Sequence, residues 1–98
     1  MSTEQLPETL PIEKVQELLT KKHEDEAREM LVQHHLRLMM YTVNKLVPNY
    51  GDKESLYTIG TIGLIRGVDE YQIGSKIPFS NHLVMTIQRE LKSFLKNS

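Results

Sequence analysis

The 98-residue sequence predicts an all-α protein, a compact bundle of about four helices. Apolar residues recur three and four positions apart through nearly the whole chain. Helix start and stop residues punctuate that pattern at intervals that suit helices. No cysteine is present to staple a loop-rich fold, so packing alone must hold the chain together. The length suits one domain with one modest core. Residues 11–98 are read as that domain, and residues 1–10 as a flexible N-terminal segment.

Pro7 and Pro11 punctuate the start, and Pro11 suits a first helical turn, where its missing N–H has no partner anyway. Ile12, Val15, Leu18 and Leu19 then mark a short first helix, about residues 11–22. After the charged KKHEDE, the residues Ala27, Met30, Leu31, Leu38, Tyr41, Val43, Leu46 and Val47 fit one long second helix from about Asp25 to Val47, stopped by Pro48 and Gly51. Asp52 is placed to cap a third helix, about residues 53–71, which carries Leu56, Ile59, Ile62, Leu64, Ile65 and Val68. Gly60, Gly63 and Gly67 share a face of it, and each costs about 1 kcal/mol relative to Ala. Close approach of the long second helix would explain them; β-branched YTIGTIGLI leaves a strand or loop reading open. Ser80 suits the N-cap of a fourth helix, with Phe79 and Val84 as a hydrophobic staple. Leu83, Val84, Ile87, Leu91, Phe94 and Leu95 form its apolar face.

Charge is unevenly distributed. Residues 1–30 carry eight acids against four Lys/Arg, residues 31–71 are balanced, and residues 72–98 carry four bases against one acid, within a net charge of −1. The two ends are therefore expected to meet different partners. His82, Met85, Arg89, Lys92 and Lys96 lie on one outer line of the fourth helix. Such a line is either a solvated face or a row of cations for a phosphate backbone, and spacing alone leaves both open. The methionines at 30, 39, 40 and 85 fit either core filling or an adaptable protein-binding surface. LRLMMYTV holds too many apolar residues for one face, which suggests that a partner covers part of it.

No catalytic residue is nominated, and no metal or cofactor is expected. Adjacent His34 and His35 point about 100° apart on a helix and cannot jointly grip one ion. His23 and His82 lack a suitably spaced partner. GTIGLIRG has neither the Gly-Lys-Ser/Thr ending nor the preceding strand of a phosphate-binding loop. The longest apolar run, LMMYTV, is far too short to span a membrane, and the start has no signal-peptide pattern. A soluble, cytoplasmic, non-enzymatic protein is expected.

Three motifs, in order, carry a resemblance. AREMLVQHHLRLMMYTVNKL at Ala27 to Leu46 resembles the AR..LV..N.RLV..V...F helix of bacterial RNA polymerase sigma factors. ESLYTIGTIGLIRGVDEY at Glu54 to Tyr71 resembles their DDL.QIG.IGL..AV..F helix, and KIPFSNHLVMTIQRELKSFL at Lys76 to Leu95 resembles KFSTYA...I.GEI.RFLRD. LPIEKVQELL is similar to the lead-in of the sporulation and general-stress members. The resemblance, from about residue 10 onward, is to the second conserved domain of these factors.

It implies an all-helical bundle and a bacterial, nucleoid-associated protein. The implied partners are the clamp helices of the largest RNA polymerase subunit, contacted through Glu54, Ser55, Leu56, Thr58, Ile59 and Ile62, and promoter DNA. The family's minus-ten reading positions fall on Arg89 and Lys92, with Lys96 beside them on the basic line. The positions that handle the melted strand fall on Phe79, His82, Met85 and Thr86. An anti-sigma factor or a partner sigma subunit is a further implied partner. Ser55 stands where the family has an acid, Thr58 where it has a polymerase-contacting Gln, and His82, Met85 and Thr86 where housekeeping members have an aromatic and two tryptophans. The expected function is transcription initiation, as a fragment of a longer factor or a small stand-alone (co-)sigma protein. The alternative is a sigma-like interaction module that binds polymerase or a regulator without reading DNA.

Overall fold

The computed structural model describes residues 6–97 and contains five α-helices in that range: α1 Ile12–Thr20, α2 Asp25–Gln33, α3 Leu36–Leu46, α4 Lys53–Glu70 and α5 Phe79–Lys96. No strand occurs among the described residues. None of the helices is long and apolar enough to cross a membrane. The all-α class is as expected; the helix count differs because the long second helix is two helices. Ile12 opens α1 with Pro11 as its cap, one position outside the first turn where that proline was expected.

The interruption falls at His34 and His35. In an uninterrupted helix the Leu31 carbonyl would accept the His35 backbone N–H. Here the His35 ring lies over that carbonyl, Nδ1 at 2.7 Å, and the His35 N–H donates to Val32 instead at 3.1 Å, a tighter turn that redirects the chain. Residues 6–10 lie against this corner: Arg37 donates from Nε to Pro7 O and from Nη2 to Leu6 O, and His34 Nδ1 is 2.7 Å from Glu8 O. The stretch read as a flexible segment therefore has residues 6–8 held in this way, while residues 1–5 lie outside the described residues.

Burial also sets the protonation of His35. Desolvation pushes its imidazole below the ordinary 6.5, with the His34 charge adding to that and the Leu31 hydrogen bond opposing it. A lowered folded value means that the unfolded chain takes up the proton first. Stability is then complete above about pH 6.5 and falls as pH drops toward the folded value. Substituting His35→Leu is expected to flatten the fall in melting temperature between pH 7 and pH 5; an unchanged slope would assign it to other groups.

Asp52 caps α4, its Oδ1 accepting from the Ser55 backbone N–H at 3.1 Å and its Oδ2 from Ser55 Oγ at 2.5 Å. Helix α4 is the centre of the bundle. Leu56, Leu64 and Val68 have no exposed surface, and each such side chain contributes about 1.5–3 kcal/mol by leaving water. The glycine face is divided between two neighbours. A Cβ on Gly60 would meet the Met39 and Val43 side chains of α3, as the close-approach reading expects of the second helix. Gly63 and Gly67 face α5 instead, Gly63 against the backbone at Thr86 and Ile87, Gly67 against Leu83 and Thr86. Their function is to let α4 and α5, the most extensively paired elements, come together.

Helix α5 starts two residues earlier than a Ser80 cap would give. Pro78, at φ −58° and ψ 148°, precedes it, no side chain caps it, and Ser80 lies exposed within the first turn. The Phe79 ring belongs to an aromatic cluster, edge-on to Tyr71 at 5.0 Å and to His35 at 5.2 Å. Met39 and Met40 are buried core residues, whereas Met85 is 55% exposed.

Candidate nucleic-acid and polymerase interface

The outer line of α5 is present, with its members in unequal environments. Arg89, Lys92 and Lys96 are exposed, and with Met85 and Gln88 the first two line a shallow groove. Lys92 and Lys96 have no carboxylate partner among the described residues. Arg89 has one, Nη2 lying 3.1 Å from Glu70 Oε1 at the end of α4. Thr86 does not belong to this surface. It is 3% exposed, its hydroxyl donates to Leu83 O at 3.0 Å, and it sits against Gly67. Its expected contact with a melted strand is corrected to a packing role, because the α4–α5 contact covers that side of the helix.

At the N-terminal end of α5, His82 is half-buried beside Tyr71, ring centroids 5.2 Å apart. Its Nε2 is buried with no hydrogen-bond partner, although buried ring nitrogens ordinarily have one. His82 also borders a largely polar hollow of about 360 Å³, lined with it by Glu70, Tyr71, Gln72, Ile73, Gly74 and Ser75. The loop wall is shaped by Gly74, whose φ of +90° favours glycine. Tyr71 ties the far side by donating its hydroxyl to Ile77 O at 2.8 Å. Half-buried Phe79 supports the cluster from below through its contacts with Tyr71 and His35.

The outward side of α4 presents Glu54, Thr58 and Ile62, the last 39% exposed, with Ile59 and Ser55 half-buried alongside. Ile59 also borders a shallow depression with Glu90 and Phe94. Leu56 was expected here and is instead completely buried, one turn inward on the core face, so no partner reaches its side chain. The Thr58 hydroxyl donates to Glu54 O at 3.0 Å and the Ser55 hydroxyl to Asp52, so both are committed within their own helix end.

Two features escaped sequence reasoning. Glu70 was not singled out: its pairing with Arg89, 19 residues on across a helical hairpin, leaves no mark in helical spacing. Between α3 and α5 runs an apolar groove of about 360 Å³, bordered by Leu38, Tyr41, Leu46 and Val84, with Lys45 over the Tyr41 ring at 5.7 Å. The surplus of apolar residues in LRLMMYTV pointed toward it, through the 63% exposed Tyr41 and not through the two methionines.

The Sigma-70 region 2 family model matches residues 31–98, which hold α3, α4, α5 and the last turn of α2. The chain is 37% identical over 73 residues to the RNA polymerase sigma-K factor of Bacillus subtilis (strain 168), covering 74% of this chain and 25% of that protein. It is 32% identical over 78 residues to the RNA polymerase sigma-28 factor of Bacillus thuringiensis subsp. kurstaki, covering 80% and 33%. Against the RNA polymerase sigma-G factor of Bacillus subtilis (strain 168) it is 28% identical over 95 residues, 91% of this chain and 36% of that one. The chain thus spans a quarter to about a third of these relatives. With more than half its length under the family model, and with the helices that carry the basic line and the polar hollow inside the match, the chain belongs to the Sigma-70 region 2 family.

Proposed function

We propose that this chain acts in transcription initiation as a sigma-factor second domain, docking on core RNA polymerase through the exposed face of α4 and reading the minus-ten promoter element with α5. The observation that carries the DNA half is a juxtaposition. The cationic line of Arg89, Lys92 and Lys96 runs along the same helix that borders, at His82, a polar hollow. Cations along a groove hold a phosphate backbone. A polar hollow with Tyr71 as its inner wall and exposed Glu70, Gln72 and Ser75 at its rim suits the hydrogen-bonding edges of an unstacked base. Phe79 supports that wall and Met85 flanks the line. On α4, Ile62, Ile59 and Thr58 form the docking patch, with Glu54 and Ser55 at its edge.

The second reading, an interaction module blind to DNA, is favoured by the burial of Thr86 and by the lack of an aromatic residue on the exposed line. Capture of bacterial core RNA polymerase by the full chain, with and without a single-stranded minus-ten-like oligonucleotide over a salt series, separates the two. A DNA-reading domain is expected to retain both, with a salt slope of about −1.4 from Lys92 and Lys96 at roughly 0.7 counterion each from a single strand, and nearer about −2 where Arg89 also meets a phosphate. Retention of polymerase with no salt-dependent oligonucleotide binding would select the second reading. Loss of both would refute the proposal.

A further inference from the structure

The last turn of α4 holds two acids, Asp69 and Glu70, at the helix end where the backbone dipole disfavours negative charge. Asp69 has an evident structural partner. Arg28 grips it with Nε at 2.6 Å and Nη2 at 2.8 Å, tying α2 to α4, while Lys22 donates to the carbonyls of Val68, Asp69 and Tyr71 beside it. Glu70 has no comparable tie. It is exposed, and its carboxylate meets Arg89 through one contact, Nη2 to Oε1 at 3.1 Å. A single-contact pair at the surface adds little to stability. Folding therefore gives no account of an acid at this place.

Glu70 belongs to the lining of the polar hollow with His82, and Arg89 belongs to the groove with Met85 and Lys92, so the pair joins the two parts of the surface. A guanidinium offers five donors in a rigid plane. With one Nη2 hydrogen held by Glu70, the remaining N–H donors of the fork are left for the paired acceptors on a base edge, the contact that distinguishes guanine in a major groove. An unrestrained arginine would instead settle on the nearest phosphate, which carries no sequence information. The carboxylate also cancels Arg89's charge, removing its pull on DNA of any sequence.

We propose that Glu70 is a positioning residue for DNA recognition, orienting Arg89 toward a base edge and withholding it from sequence-blind phosphate contact. The inference rests on the promoter-reading function proposed above. The test uses the full chain bound to bacterial core RNA polymerase and a library of partly melted fork DNA randomised across the minus-ten region. Wild type, Glu70→Gln, Arg89→Ala, Arg89→Lys and the Glu70→Gln/Arg89→Ala double variant are compared. Wild type is expected to select one base strongly at a single duplex position. Glu70→Gln is expected to lose about fivefold of that preference, on the scale of one positioned base contact, while binding scrambled forks a few-fold more tightly and melting at an unchanged temperature. Arg89→Lys should lose the same preference with its salt slope kept, and the double variant should match Arg89→Ala alone. Unchanged preference in Glu70→Gln, or an equal loss at every position, overturns the positioning role while leaving promoter reading intact. A wild type that selects no sequence overturns both.

Discussion

Substituting Gly63→Ala is expected to destabilise the fold by about 2–3 kcal/mol, the upper part of the range for overpacking a tight contact. In a domain of this size that corresponds to a fall in melting temperature of roughly 10–20 °C. The added Cβ would lie 2.7 Å from the Cα of Ile87 and 2.9 Å from the carbonyl oxygen of Thr86. Both obstacles are backbone atoms of α5, so no rotamer change relieves them, and α4 and α5 must move apart along their whole contact. The gain of about 1 kcal/mol from replacing a helical glycine by alanine works in the opposite direction and is too small to reverse the sign. Gly60→Ala is the informative comparison, because its Cβ would meet the Met39 sulfur at 2.8 Å and a Val43 methyl at 2.9 Å. A flexible methionine end can yield, so the loss there should be smaller. Thermal melts of the two variants decide the matter: a Gly63→Ala protein as stable as wild type would mean that the helices do not require this approach.

Removing two cations from the line, as Arg89→Ala with Lys92→Ala, is expected to weaken promoter binding by about 10- to 100-fold, from lost phosphate neutralisation together with one lost base contact. Polymerase binding and melting temperature should be retained. Both side chains are exposed, neither contributes to the core, and surface changes of this kind usually stay within about 0.5 kcal/mol. The salt dependence supplies a second signature: on duplex DNA the slope should fall by about 0.9, the share of Lys92, and by about 1.8 only where Arg89 also meets a phosphate. Full promoter affinity in the double variant would remove α5 as the reading helix and return the function to an interaction module. The result is independent of the Glu70 proposal, because deleting Arg89 removes its charge and its orientation together.

The helical periodicity of the chain was enough to show an all-α fold, the Asp52 cap and the exposed order of Met85, Arg89, Lys92 and Lys96. These are local properties. An i, i+3, i+4 pattern states which residues share a helix face, and a capping acid acts within its own first turn. The three family motifs were legible for the same reason, since each occupies one or two contiguous helical segments.

What covers each face is a different matter. Thr86 and Leu56 read as members of interfaces, and only the packing of α5 on α4 shows Thr86 closed against Gly67 and Leu56 sealed in the core. The division of the glycine face between α3 and α5 has the same origin, because small residues permit a close approach without naming the partner. The break at His34 and His35 was hidden in a run of good helical spacing. It depends on the imidazole over the Leu31 carbonyl, a local competition with the helix's own N–H, and on Arg37 and His34 reaching residues 6–8, from 26 to 31 positions away in sequence. The Glu70–Arg89 pair and the hollow at His82 likewise exist only where the end of α4, its loop and the start of α5 meet. The sequence by itself determined the helices and the polarity of their surfaces; the tertiary structure decided which surfaces remain open, because burial and long-range hydrogen bonding arise from neighbours brought together by folding, not from spacing along the chain.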